Sequence, residues 1–264
     1  VSVVEVIPAV STVIEARGVE LRYGTGDPVV TGLDLALPGA EFVVVLGPNG
    51  GGKTSLFRAL TGELVPSAGS LKVEASIAYL PQYDGSRVDF PVSALDVVLM
   101  GTLSERKLWQ RVSRDDKRRA MSALERVGLA DRADDTFGEL SGGQRRRVLL
   151  ARTIVGGAAV ILLDEPLAGV DPRSGEAIRE TLASLRDEGR LVIEASHDIE
   201  HARTADRVLC VNHRLIADGA PDAVLTDSTL RETYASDLAV ITSDDGATLL
   251  ATTDCCGHDH EHAH

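Results

Sequence analysis

The sequence contains no apolar run near the ~20 residues that a membrane-spanning helix needs. Its longest apolar stretches, Phe42–Leu46 and Ala158–Leu163, have the length of buried strands. Cysteine is scarce as well. Cys210 stands alone, and Cys255 and Cys256 sit together near the end, which is no disulfide framework. Positive charge is in deficit. Lys and Arg number 27 against 40 Asp and Glu, for a net charge of −13. That balance argues against sequence-independent binding to DNA or RNA, which needs clustered cations to displace counterions. The first residues, VSVVEVIPAVSTVIEA, lack a basic flank and are interrupted by Glu5 and Glu15, so no signal peptide is expected there. The expected location is the cytoplasm, with a membrane reached only through a partner. No internal repeat is visible. What is present is 264 residues with 44% hydrophobic side chains, enough to build one large domain with at most a small appendage.

Apolar alternation predicts strands in TVIEARGVELRYG, PVVTGLDLAL and EFVVVLG, followed by a glycine-rich turn and a helical TSLFRALTGEL. Short strands are expected at Ser70–Val73 and Ile77–Leu80. Helical spacing then runs from about Val92 to Gly128, and again over Arg145–Ile154 and Arg173–Arg186. Val160–Leu163 and Leu191–Glu194 read as buried strands between them. Strands alternating with helices imply a mostly parallel α/β sheet, and the opening strands imply an attached antiparallel β-subdomain. After Asp254 the chain reads CCGHDHEHAH, with no apolar periodicity, and is expected to be disordered.

The stretch Gly47, Pro48, Asn49, Gly50, Gly51, Gly52, Lys53, Thr54 fits the phosphate-loop pattern G-x-x-x-x-G-K-[ST] and runs on into Ser55. It follows an apolar strand and opens a helix, as a phosphate cradle requires. Glycines let backbone N–H groups converge on phosphate oxygens, and the helix presents its positive end to the same anion. Lys53 is suited to the β- and γ-phosphates and Thr54 to Mg²⁺. A glycine turn with an incidental lysine is the competing reading, and the strand-before, helix-after context disfavours it. Val160–Leu163 leads into Asp164 and Glu165, with Pro166 ending the strand. Asp164 is placed to hold Mg²⁺ through water, and Glu165 to orient or deprotonate an attacking water. His197 follows another apolar strand, where a neutral imidazole can hydrogen-bond the γ-phosphate and the water. Alone it would read as a structural histidine.

Leu140, Ser141, Gly142, Gly143 and Gln144 precede a helix and form a second anion-binding N-terminus. One compact domain does not easily bring both half-sites to one ATP. A head-to-tail dimer does, with each nucleotide between the phosphate loop of one copy and Leu140–Gln144 of the other. Taken together, these residues resemble the ABC ATPase family, and the resemblance runs from about residue 12 to 235. It implies an α/β fold of the ABC-type P-loop ATPase kind. The parts would be a mixed, largely parallel core sheet, an N-terminal antiparallel β-subdomain and a helical subdomain, about 83–155, carrying the Leu-Ser-Gly-Gly-Gln motif. Residues 1–11 and 236–253 become extensions and 254–264 a tail. The resemblance further implies ATP and Mg²⁺ as ligands, with Tyr23 stacking on adenine. Gln82 would contact Mg²⁺ and signal to a membrane partner, and Asp171 would contact the opposite subunit. With Lys53, Glu165 and His197 all present, an active ATPase is implied.

Three readings compete beyond that: a transporter subunit, a soluble ABC ATPase acting on DNA or ribosomes, and a regulatory nucleotide-binding protein. The long coiled-coil insertions of the DNA-repair type are missing, and the translation type carries two such domains where this chain has one. The segment after Gln82, PQYDGSRVDFPVSALDVVLMG, resembles that of ATPases for zinc, manganese or ferrous iron uptake. There it is expected to cradle a short permease helix in a groove lined by Phe90, Val92 and Leu95, although plain core packing explains such residues too. The expected assembly is a homodimer on integral-membrane permease subunits, serving indirectly a metal-binding solute-binding protein, with no nucleic acid. The stretch around Cys210 and His213 is nearer the zinc group. Cys210 itself is expected in a buried strand, and His201 and His213 on solvated surfaces. In the tail, Cys255, Cys256, His258, His260, His262 and His264 make a thiolate and imidazole composition suited to Zn²⁺, without the spacing of a fixed structural site.

Overall fold

The computed structural model describes residues 12–82, 91–103, 111–234, 238–242 and 248–252, the last two by backbone alone. The chain opens with β1 (Thr12–Arg22) and β2 (Pro28–Pro38), paired antiparallel. Both strands reverse which parity faces inward midway. In β1, Ile14 and Ala16 are buried and then Val19 and Leu21; in β2, Val30 and then Leu33, Leu35 and Leu37. Gly18 and Gly32, at φ 55° and 57°, occupy the reversals, where the register slips between Ala16 and Val19. A left-handed residue without Cβ strain lets each strand change face and keep its apolar side on the core.

β3 (Phe42–Leu46) is buried at every residue and feeds the glycine-rich loop and α1 (Lys53–Leu60). β4 (Ala68–Val73) returns to β1, completing a three-stranded antiparallel sheet of order β2-β1-β4. β5 (Ile77–Leu80) lies at one edge of the second sheet, to which β3 also belongs. Three helices follow among the described residues: α2 (Ala94–Met100), α3 (Arg114–Arg126) and α4 (Gly142–Ile154). Each starts at a serine capping box: Ser93 with Asp96, Ser113 with Asp116, and Ser141 with Gln144. The helical run expected from Val92 to Gly128 is therefore two helices. Gly101 caps the first, Ser113 caps the second, and 104–110 between them lie outside the described residues. α4 starts at Gly142 rather than at Arg145, because the Ser141 and Gln144 side chains satisfy the first-turn groups.

β6 (Val160–Asp164), α5 (Pro172–Asp187), β7 (Leu191–Ser196), the short α6 (Ile199–Ala202), β8 (Arg207–Val211) and β9 (Leu215–Gly219) complete the core. The six-stranded sheet has the order β5-β6-β7-β3-β8-β9 and is parallel except for the antiparallel β8–β9 edge. This is the α/β architecture expected from the sequence. α7 (Pro221–Val224) and α8 (Asp227–Tyr234) close the domain. The stretch read as a C-terminal extension carries a hairpin of β10 (Leu238–Thr242) and β11 (Thr248–Thr252).

β3 divides its side chains between two cores. Val43 and Val45 join the core shared with α1 and the antiparallel sheet, while Phe42, Val44 and Leu46 join the core shared with the helices. A strand buried on both faces is held rigidly, so its C-terminal end is a fixed platform, and in such sheets ligands bind at those ends.

The helical layer depends on one close approach. A Cβ on Gly101 would lie 2.0 Å from the Arg152 carbonyl oxygen and 2.6 Å from Val155 Cγ1. Gly101→Ala is therefore expected to push α2 off α4 and cost about 1–3 kcal/mol, read as a lower urea midpoint with an unchanged slope. An unchanged midpoint would show that the two helices are not in contact there.

Candidate active site

The glycine-rich loop leaves β3 in a space with little room for side chains at Gly47, Gly51 and Gly52. A Cβ on Gly47 would stand 2.0 Å from the Val211 carbonyl oxygen, and one on Gly51 would stand 3.0 Å from that of Pro48. Gly50 and Gly52 adopt φ 78° and 100°, and a Cβ on Gly52 would meet Val30 Cγ2 at 2.5 Å. Gly52 is also the N-cap of α1 and offers no capping side chain, so the first amides of the helix are left for an anion. Lys53 is buried and arches back over the loop, its Nζ donating to the carbonyls of Gly47 at 2.6 Å and Pro48 at 3.0 Å. An ammonium held there lies over any phosphate seated in the loop.

The loop forms one wall of a pocket of about 550 Å³. Pro48, Asn49, Gly50, Gly52, Lys53, Thr54 and Ser55 line it from this side, and Gln82, Asp164 and Glu165 from the other. Tyr23 stands at its mouth, 45% exposed, with its hydroxyl 3.2 Å from Ser55 Oγ and the Arg58 guanidinium 6.0 Å from its ring centre. A large exposed aromatic at a pocket mouth is a stacking surface.

β6 delivers Asp164, 2% exposed, against α1. Thr54 Oγ1 donates to Asp164 Oδ2 at 2.8 Å, and the Tyr79 hydroxyl donates to the same oxygen at 3.3 Å. Burial pushes the Tyr79 phenol far above its ordinary range, so it stays a donor. A hydroxyl and a carboxylate in contact beside a phosphate loop are the hard-oxygen set that Mg²⁺ takes, and Thr54 and Asp164 fit that ion. Gln82 does not reach Asp164. Its Nε2 donates to Glu165 Oε2 at 3.1 Å, tying it to the next carboxylate instead.

Glu165 has φ 50°, a left-handed conformation that costs a non-glycine residue about 1–3 kcal/mol. Its N–H donates to the Ala195 carbonyl at 3.0 Å. On the other side stands a group that sequence reasoning missed. Arg146 of α4 is buried, and its guanidinium donates to the carbonyls of Pro166 at 3.1 Å, Pro81 at 3.4 Å, Asp164 at 2.9 Å and Glu165 at 2.6 Å. This clamp fixes the turn at the end of β6 and ties α4 to it. The imidazole of His197 holds the Glu165 carboxyl below its ordinary range, and the Glu165 carboxylate raises His197 in turn. Their separation, His197 Nδ1 to Glu165 Oε1, is 3.8 Å, so this is an attraction of charges rather than a formed hydrogen bond. An ionised Glu165 facing the phosphate end of the pocket can accept a proton or orient a water.

Other expected residues lie elsewhere. Gly47 and Gly51 are buried under the loop rather than on the pocket wall. His197 lines a smaller neighbouring cavity that also reaches Glu165. Leu140, Ser141, Gly142, Gly143 and Gln144 do not line the pocket. Leu140 is buried, Ser141 and Gly142 are exposed, and Gln144 closes the capping box, its Oε1 accepting from Ser141 N at 2.9 Å. Asp171 caps its own helix, α5, accepting from Ser174 N at 3.0 Å, and stands beside Gly143, where a Cβ would meet its Oδ2 at 2.5 Å. Cys255, Cys256, His258, His260, His262, His264 and Phe90 lie outside the described residues. Val92 and Leu95 pack partly against the helical core.

Cys210 is fully buried in β8, as expected, and His213 is exposed with Nδ1 3.2 Å from the Val29 carbonyl oxygen. His201 departs from expectation. It is 7% exposed rather than solvated, because its Nε2 sits 3.1 Å from Oε2 of Glu194, a carboxylate with no exposure. The partner is seven residues away on a different element, so nothing local to His201 signals it. Among the described residues no helix is long and apolar enough to cross a membrane.

Residues 30–168 match the ABC transporter family. Over 218 residues, 79% of this chain and 84% of the relative, the sequence is 38% identical to a probable metal transport system ATP-binding protein of Chlamydia pneumoniae. It is 35% identical to a manganese transport system ATP-binding protein of Bacillus subtilis, covering 86% of this chain and 94% of the relative. A zinc transport system ATP-binding protein of Treponema pallidum is 34% identical, over 86% and 89% of the two chains. The fold superposes on a solved ABC transporter chain in an inward-facing conformation with a TM-score of 0.79 at 26% identity, covering 92% of this chain and 98% of the other.

The clamp gives a direct test. Arg146→Met keeps the aliphatic bulk and strands four carbonyls, those of Asp164 and Pro166 in buried residues, so the variant is expected to lose about 2–4 kcal/mol of stability by urea unfolding. Its kcat for ATP hydrolysis should fall at least tenfold, since Glu165 is no longer held. Full activity in a stably folded Arg146→Met would show that the turn holds itself.

Proposed function

The chain belongs to the ABC transporter family of ATP-hydrolysing subunits, and from that membership we propose that it powers uptake of a divalent transition metal, zinc before manganese before iron. The cassette spans 12–235 with a helical subdomain at about 83–155, and the segment after Gln82 meets the permease. Two copies work as a dimer on integral-membrane permease subunits, at the inner face of the membrane, and a metal-binding protein outside delivers the cargo.

The observation that carries the ATPase mechanism is the contact of Thr54 with Asp164, with Glu165 next along the chain in the same pocket. The phosphates lie on the amides of Gly47–Thr54, under the Lys53 ammonium, while Tyr23 stacks on the adenine. Mg²⁺, when bound, neutralises charge on the β- and γ-phosphates. Thr54 and Asp164 would hold it, and Gln82, hydrogen-bonded to Glu165, would report its occupancy to the permease. Glu165 orients the attacking water and takes its proton, and His197 donates to the γ-phosphate from the far side. Ser141, Gly142, Gly143 and Gln144 serve the nucleotide of the second copy, and Asp171 faces that copy. What supports this division is that the α4 N-terminus is exposed and away from the chain's own phosphate loop.

The metal class follows from the manganese and zinc systems among the relatives. The order within the class rests on the tail, where Cys255, Cys256, His258, His260, His262 and His264 supply soft sulfur and imidazole donors that favour Zn²⁺ over Mn²⁺. We read it as a buffer or sensor of the transported ion.

Two measurements test the reading. Glu165→Gln is expected to bind ATP with unchanged affinity and to lose at least about 100-fold in kcat; lost binding would remove Glu165 from the catalytic role. Titration of Zn²⁺ and Mn²⁺ into the full chain and into a chain ending at residue 253 should show extra Zn²⁺ bound only by the former. Equal stoichiometry would end the tail assignment.

A further inference from the structure

β7 is buried along its whole length, and Leu191, Val192, Ile193 and Ala195 are what such a strand requires. Glu194 among them is anomalous. Its side chain has no exposure, and a lone carboxylate there would be strongly disfavoured. His201, with a side chain 4% exposed, answers it across 3.1 Å. The His201 ring is in turn fixed against Phe42 of β3, centroids 5.8 Å apart and planes tilted by 56°.

Between these two residues runs the turn that carries His197. Ser196 Oγ accepts from Asp198 N at 3.1 Å, and Asp198 Oδ1 accepts from His201 N at 2.9 Å. α6, which holds His201, spans only four residues and has little stability of its own. The Glu194–His201 contact therefore ties α6 back to β7 and closes the loop 195–200 around His197. Glu194 also lines the cavity of about 140 Å³ shared with Glu165, Ser196 and His197.

We propose that Glu194 and His201 are a positioning pair, which sets the turn so that the His197 imidazole faces Glu165 and the γ-phosphate. The proposal rests on the role given to His197 above. Buried pairs of this kind contribute little net stability, and apolar replacements of similar volume are commonly neutral or better. A structural role alone therefore predicts that the pair can be exchanged for apolar residues without effect on hydrolysis, and a positioning role predicts that it cannot.

The test uses the full chain with ATP and Mg²⁺, measuring melting temperature, KM and kcat. Glu194→Val with His201→Leu is expected to melt at or above the wild-type temperature and to keep its KM for ATP within about twofold. Its kcat should fall about tenfold or more, because His197 is no longer held. Glu194→Gln, which can still accept from His201, should recover most of that loss. Wild-type kcat in the double variant overturns the proposal. Should the double variant not fold, His201→Gln against His201→Leu decides: the former keeps a donor toward Glu194 and should retain kcat, and equal kcat in both overturns the pair. His197→Ala separates the premise from the inference. If it hydrolyses ATP normally, the role of His197 falls and the pair with it; if it is inactive while the double variant is normal, the pair alone falls.

Discussion

A single guanidinium, that of Arg146, holds the chemistry of this chain in place. β6 brings Asp164 to the pocket with the rigidity of a buried strand, but Glu165, one residue later, sits in a left-handed conformation that it would not keep unaided. Arg146 reaches from α4 and accepts the burden of four carbonyls around that turn, two of them those of Asp164 and Glu165. Carbonyls gathered onto one cation leave little freedom at the strand exit. The strain at Glu165 is thus maintained by a helix that contributes no side chain to the wall of the pocket.

The same helix begins at the exposed Ser141, little more than one turn before Arg146. Ser141 and Arg146 lie within the first turns of one rigid helix, so whatever displaces its exposed N-terminus also pulls on the turn that holds Glu165. A ligand or partner seated on that N-terminus would therefore bias the geometry at Glu165. That is the physical content of coupling between sites, namely one element whose position both ligands bias.

What the sequence disclosed followed from how local the chemistry is. The phosphate loop is contiguous because backbone amides must converge within a few residues, and the strand ending in Asp164 and Glu165 announces itself by its apolar run. The largely parallel sheet and the separate antiparallel β-layer were readable from the same alternation, even though Gly18 and Gly32 reverse its parity, but the strand order was not. Arg146 was hidden among three consecutive arginines, with nothing in the sequence to say which of them turns inward. Tyr79 and the Glu194–His201 pair were hidden for a related reason, since each acquires its role from a partner on another element. His201 was read as solvated, and only β7 supplies the carboxylate that draws it inside.

Tyr23 carries a further implication. Its ring lies open at the pocket mouth, its hydroxyl occupied with Ser55 and its plane flanked by Arg58. A stacking face registers the presence of a flat heterocycle and not the pattern of donors and acceptors along its edge. Guanine offers the same π-surface as adenine, so Tyr23 supplies no means of telling GTP from ATP. Any preference for one purine nucleotide over another therefore has to come from groups other than this ring.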